Sequence, residues 1–179
     1  MPNFIDTHCH LTMPQFEADK SEVIKRAFES GIKTLITIGT DINDSRSAVA
    51  LAEEHGSIYA GVGIHPHEVK EVKDIETAQE VLKSMAANKK VVAIGETGLD
   101  YHYMHSPAGL QQKYFRMHIE TAIALDLPII IHTREAKEDT MAILKEYTGR
   151  IRGVFHCFSG DMDMAEKALD MDSTSHFPA

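Results

Sequence analysis

The segment Phe4-Ile5-Asp6-Thr7-His8-Cys9-His10 ends a short apolar run in two histidines one residue apart. On an extended strand, side chains at i and i+2 share a face. His8 and His10 can therefore turn two imidazoles toward one point, as a metal site requires. The same event recurs downstream. Val91-Val92-Ala93-Ile94-Gly95 runs into Glu96, Pro128-Ile129-Ile130-Ile131 into His132, and Gly153-Val154-Phe155 into His156. Ala60-Gly61-Val62-Gly63-Ile64 runs into His65, followed by His67. The chain has 11 histidines, and six of them sit at these run ends. Histidines that independently satisfied a core would not all fall at one place in a repeated unit, so the repetition points to a shared metal centre.

The elements that must position these side chains alternate plainly. Strand-like runs begin near Phe4, Thr34, Ile58, Val91, Pro128 and Gly153. Amphipathic segments lie between them: Val23, Ile24, Ala27 and Phe28 before Gly31, and Ala48, Val49, Leu51 and Ala52 before Gly56. Val81, Leu82 and Met85 mark a third, and Leu110, Tyr114, Met117, Thr121 and Leu125 a fourth. Met141, Leu144 and Tyr147 make a fifth, and Ala165, Ala168 and Leu169 begin a sixth. Their spacing is helical. Strands apolar on both faces and separated by helices imply a parallel sheet covered by helices. An open doubly wound sheet and a closed (β/α)8 barrel both fit. Polar side chains at the ends of at least four strands favour the barrel, whose C-terminal rim gathers them around one pocket. No Gly-rich phosphate loop follows the first strand, which weakens a dinucleotide-binding reading.

Composition bounds the function. The 179 residues suit one domain with a sizeable core, and a formal net charge of −9 argues against a broad basic surface that coats nucleic acid. A nuclease is still compatible, because divalent ions can supply positive charge locally. Nothing resembles a signal peptide or a membrane span. Cys9 and Cys157 are the two cysteines, which suggests reduced thiols and a cytoplasmic protein. Cys9 is expected to point away from His8 and His10. No obligate protein partner is evident.

The chain resembles the TatD family of metal-dependent deoxyribonucleases, within the amidohydrolase-like barrels. The resemblance is carried by Phe4-Ile5-Asp6-Thr7-His8-Cys9-His10-Leu11, Gly95-Glu96-Thr97-Gly98-Leu99-Asp100-Tyr101 and Pro128-Ile129-Ile130-Ile131-His132-Thr133-Arg134-Glu135-Ala136. Gly63-Ile64-His65-Pro66-His67 and Phe155-His156-Cys157-Phe158-Ser159-Gly160 support it. Thr12 stands where the family usually has Asp or Asn.

The resemblance implies two divalent ions (Mg²⁺, Mn²⁺ or Zn²⁺), one held by His8 and His10 and the other by His132 and His156, with Glu96 bridging them. It implies DNA as the substrate, cleaved at a phosphodiester and typically from the 3′ end. Arg134 would neutralise a phosphate oxygen, or else form a surface salt bridge with Glu135 or Glu138. His65 would donate to the phosphate or to an activated water, or simply pack. Asp100 would orient a ligand histidine or cap its loop. Tyr101, with His67 and the neighbouring His102, Tyr103 and His105, would line the substrate groove, or the segment is a solvated loop. A related hydrolase of amides, esters or phosphotriesters is the alternative; Glu96, where many such barrels carry a modified bridging lysine, favours the nuclease. A second alternative is a non-catalytic fragment.

A complete barrel needs roughly 250 residues, and about six of the eight βα units are legible, over residues 1–171. The family's further aspartate, in a Glu-Thr-Asp motif on the eighth strand, has no counterpart here. Residues 172–179 read Asp-Ser-Thr-Ser-His-Phe-Pro-Ala. A one-base deletion in codons for Gly-Phe-Tyr-Ile-Ser-Phe-Pro-Gly, a sequence suited to the family's seventh strand, yields that octapeptide. The expectation is an out-of-frame tail after Met171, open strand edges, an aggregation-prone chain and little or no nuclease activity in the chain as written.

Overall fold

A computed structural model describes residues 3–171, so the expected out-of-frame tail, 172–179, lies outside the described residues. Six strands alternate with six helices. They are β1 (Phe4–Cys9), α1 (Lys20–Glu29), β2 (Ile32–Ile38), α2 (Ile42–Glu54), β3 (Ile58–Val62), α3 (Ile75–Ala86) and β4 (Val91–Asp100). The series continues with α4 (Ala108–Leu125), β5 (Ile129–Arg134), α5 (Lys137–Lys145), β6 (Gly153–Phe155) and α6 (Met162–Met171). The strands form one sheet in chain order, every neighbouring pair parallel. This is a partial barrel of the (β/α)8 type, as expected.

Local chemistry starts the helices where the sequence allows. Asp41 caps α2, its Oδ1 accepting from the Asn43 and Asp44 amides at 2.7 and 2.8 Å. Asp74 caps α3 by accepting from the Thr77 amide at 2.8 Å.

Two apolar layers follow from strand alternation. The helix-facing side buries Ile58, Val62, Ile94, Leu99 and Ile129 against Leu82, Phe115 and Ile119. The concave side holds a separate, smaller cluster of Ile38, Ala93 and Ile130, with Ile36 beside it. His132 lies two residues past Ile130 on β5, so the strand period brings it to that same inner face.

The central strands approach very closely at their C-terminal ends. Gly98 has φ +141°, and a Cβ there would lie 2.0 Å from the His132 carbonyl oxygen. A Cβ on Gly63 would lie 2.5 Å from Gly95 Cα. Only glycine allows the loop after β3 and the distal part of β4 to be drawn together beside β5.

β1 and β6 are the edges of the sheet. Phe4 and Ile5 on β1 and Val154 on β6 are exposed, as are Phe158, Met162 and Leu169 beyond β6. Leu169 departs from the helical pattern, which placed it on a buried face. It is 74% exposed, although α6 packs against α5 and buries Met164.

Candidate metal centre

Glu96 is the hub. It is 3% exposed, and its two oxygens divide the histidines between them. Oε2 lies 3.2 Å from His8 Nε2 and 3.7 Å from His10 Nε2. Oε1 lies 2.9 Å from His132 Nδ1 and 3.8 Å from His65 Nε2. Burial alone would raise the Glu96 carboxyl, but hydrogen bonds from His132 and His8 and the surrounding imidazoles hold it well below the usual carboxylate range. It is an anion at neutral pH.

Donor atoms gather in two groups that share this carboxylate, His8–Glu96–His156 and His65–Glu96–His132, each within a 4.8 Å span. The expected set therefore converges, with its partners regrouped. His156 meets His8, their rings stacked with centroids 3.4 Å apart. His132 meets His65 at 4.6 Å between centroids. The curl of the sheet is the reason: it swings the end of β6 back toward the end of β1.

The donor chemistry fits divalent cations. His10 Nδ1 lies 2.9 Å from the Ile38 carbonyl oxygen, which can only accept, so the Nδ1 proton is donated there. That leaves the Nε2 lone pair of His10 aimed at His8 Nε2, 3.1 Å away, and at Glu96. Convergent lone pairs around a buried carboxylate are what a bound cation satisfies. A cavity of about 210 Å³, lined by His10, Thr40, His65, His67, Glu68 and Glu96, opens onto these groups.

His65 is held differently. Its Nδ1 accepts from the His67 amide at 3.3 Å, so the neutral ring carries its proton on Nε2, facing Glu96. Burial pushes its pKa down to about 3, which keeps it neutral. Burial also lowers His156. For His132 burial acts downward too, but Glu96 and Asp100 outweigh it and raise the ring.

Asp100 meets two histidines and also caps the loop that follows it. Its Oδ2 lies 3.1 Å from His132 Nε2 and 3.0 Å from His67 Nε2, while Oδ1 accepts from the Tyr103 amide at 2.8 Å. Burial would raise its carboxyl, but these hydrogen bonds keep it below the usual range. Tyr101 does not face the pocket. Its hydroxyl donates to Asp139 at 2.7 Å and accepts from Gln112 at 2.8 Å, and its ring packs into the helix layer. Arg134 pairs with neither Glu135 nor Glu138. Its guanidinium lies over the Tyr103 ring, 4.6 Å from the centroid, while Glu135 holds His102 at 2.7 Å. Cys9 points away, its thiol donating to Ile36 O, and burial raises it to about 12. The Thr12 hydroxyl is buried without a hydrogen-bond partner among the described residues.

Three supporting residues were not singled out from sequence. Gln111, fully buried on α4, accepts from the Asp100 amide at 2.8 Å and donates to the carbonyls of Asp100 and Ser106 at 3.0 and 2.7 Å. His118, one heptad later, accepts from the Ile64 amide at 3.0 Å and donates to Tyr114 O at 2.7 Å. Ser45 on α2 both donates to and accepts from the backbone of Gly63. Together they clamp the ends of β3 and β4, which carry His65, His67 and Asp100. Gln111 and His118 were visible as polar residues on the apolar stripe of the fourth helix, but their partners lie on other elements.

Comparison with known proteins identifies the family and the fold. The chain is 39% identical over 168 residues to the uncharacterized metal-dependent hydrolase YabD of Bacillus subtilis, covering 93% of this chain and 65% of YabD. It is 34% identical over 156 residues to the 3′-5′ ssDNA/RNA exonuclease TatD of Shigella flexneri, covering 87% of this chain and 59% of that protein. The crystal structure of YjjV, a TatD homologue from Escherichia coli, superposes with a TM-score of 0.85 at 32% identity, over 94% of this chain and 65% of that one. The chain thus spans less than two thirds of the length of these relatives. An uncharacterized amidohydrolase from Saccharomyces cerevisiae, 21% identical with a TM-score of 0.82, shares the fold. The profile of the TatD related DNase family matches residues 5–178, and the chain belongs to that family.

Proposed function

We propose that these six βα units carry the centre of a metal-dependent phosphodiesterase acting on the 3′ end of single-stranded nucleic acid. The observation that supports it best is the division of Glu96 between two groups of histidines. His8, His10 and His156 with Glu96 Oε2 would hold one divalent ion, and His132 with Glu96 Oε1 a second. When bound, such ions lower the pKa of a water and draw the negative charge of a phosphodiester.

The chain's own residues supply the rest. His65 presents an Nε2–H beside Glu96 and would hydrogen-bond a non-bridging phosphate oxygen. Asp100 fixes the His132 and His67 rings through their Nε2 atoms. Arg134, unpaired with any carboxylate among the described residues, offers a cation to the substrate's phosphates. The exonuclease named in Shigella flexneri supports single-stranded DNA or RNA as the substrate class.

The test is metal titration of the chain, followed by incubation in enzyme excess with a 3′-labelled single-stranded oligonucleotide and, in parallel, small carboxylic esters. The expected result is uptake of two equivalents of Mn²⁺ and slow, metal-dependent loss of the 3′ label, abolished by Glu96→Gln. Metal uptake with ester turnover and an intact label would favour the amide- and ester-hydrolase reading. Uptake with neither reaction would leave a non-catalytic metal-binding chain.

A further inference from the structure

Beyond the metal donors, one cluster is unaccounted for. Arg134 projects two residues past His132, and Tyr103 three residues past Asp100, so both leave strand ends that carry the centre. The two meet, with the guanidinium 4.6 Å above the phenol ring. The His105 ring lies within 16° of parallel to Tyr103, at 5.6 Å between centroids. His67 touches both edge-on, 5.6 Å from Tyr103 and 4.6 Å from His105. From His67 it is 3.0 Å to Asp100 and 6.4 Å, ring to ring, to His132.

Tyr103 is 51% exposed as a residue, at the rim of a buried, charged centre. Among the described residues the ring meets only the Arg134 guanidinium and the neighbouring histidines His67, His102 and His105, and no apolar side chain buries it. Among the described residues the cation beside it has no carboxylate partner within 4.0 Å, in a chain of formal net charge −9. A flat ring and a free cation next to each other suit a planar ring that carries phosphate. The path from the Tyr103 ring through His67 to the donors is short enough for one nucleotide to lay its phosphate on the centre and its base on the ring.

We propose that Tyr103, flanked by Arg134 and His105, is the subsite for the unpaired base of the 3′-terminal nucleotide, an inference that rests on the nucleic-acid reading above. Tyr103 stacks on the base and Arg134 contacts the phosphate. Stacking needs an unpaired base, so the shelf selects single-stranded ends and tolerates any base, because every base has a flat face.

The experiment measures anisotropy of 5′-fluorescein-labelled hexathymidylate with a phosphorothioate at its last linkage, in Mn²⁺, against the same strand ending in an abasic residue. Native chain is expected to bind the base-bearing strand about tenfold more tightly than the abasic one. Tyr103→Leu, which keeps the apolar bulk, is expected to bring that ratio close to one without weakening abasic binding; Tyr103→Phe is expected to restore it. Arg134→Ala is expected to weaken both strands alike. Equal binding of the two strands by native chain, or an unchanged ratio in Tyr103→Leu, overturns the base subsite and leaves the nucleic-acid reading standing. Binding of neither strand by a folded, Mn²⁺-loaded chain overturns both.

Discussion

His8 and His156 stack face to face, 14° from parallel with ring centroids 3.4 Å apart, although their strands are the two edges of the sheet. Two imidazoles meet there beside the Glu96 carboxylate. A cation between the edges would tie the first and last units together. Saturating Mn²⁺ or Zn²⁺ is expected to raise the melting temperature by roughly 5–10 °C, since a ligand at about 100 times its Kd adds about 2.7 kcal/mol. Glu96→Gln is expected to lose most of that rise. A metal-independent melt by calorimetry would count against the centre.

His118 makes a pH prediction whose sign is fixed by burial. Its pKa is pushed down to about 4 from an ordinary 6.5, so the folded state keeps the ring neutral where the unfolded chain takes up a proton. Its contribution to stability is full above about pH 6.5 and is lost as pH falls toward 4. The total is of order 3 kcal/mol. His132, raised in the fold, acts in the opposite direction. The comparison must therefore be between native chain and His118→Gln. The variant is expected to show a flatter fall in urea midpoint from pH 7 to 5; parallel profiles would refute this account.

Gln111 has the strongest claim to hold the site in shape. Its three hydrogen bonds satisfy backbone groups at the turn after Asp100. Gln111→Leu would leave those groups unpaired in a dry interior, at a cost of about 2–4 kcal/mol. Weaker Mn²⁺ binding is expected with it, because Asp100 no longer holds His132 and His67. Urea denaturation and calorimetric titration read the two effects separately.

The open edges carry a prediction about association. Among the described residues β1 and β6 each pair on one side only, beside exposed Phe4, Ile5 and Val154, a template for strand pairing between copies. Purified chain is expected to self-associate at micromolar concentration in light scattering. Ile5→Lys with Val154→Lys is expected to reduce this sharply, since charge on an edge opposes pairing. A concentration-independent monomer would overturn the expectation.

Much of this molecule was legible before its fold was. Strand and helix alternation followed from apolar runs and helical spacing, which depend on near neighbours. His8, His10, Glu96, His132 and His156 stood out because parallel strands deliver their C-terminal ends to one rim. Asp100 and His65 were recognisable as polar residues at strand ends, though their roles stayed open until their partners were visible. Leu169 shows where local pattern misleads: helical spacing marks a face, but whether anything covers that face depends on the next unit.

What the sequence determined alone was the repeating βα unit and the residue types at the ends of its strands, because these follow from period and local propensity. Tertiary structure decided which histidines meet, turning His156 to His8 and His132 to His65. It also decided that Tyr101 faces the helices while Tyr103 meets Arg134, and that Gln111 and His118 reach other loops. Those outcomes hang on sheet curl, on the glycine-tight approach of the loop after β3 to β4 and β5, and on a turn that aims successive side chains in opposite directions. Each depends on contacts between residues far apart in the chain, which no local pattern records.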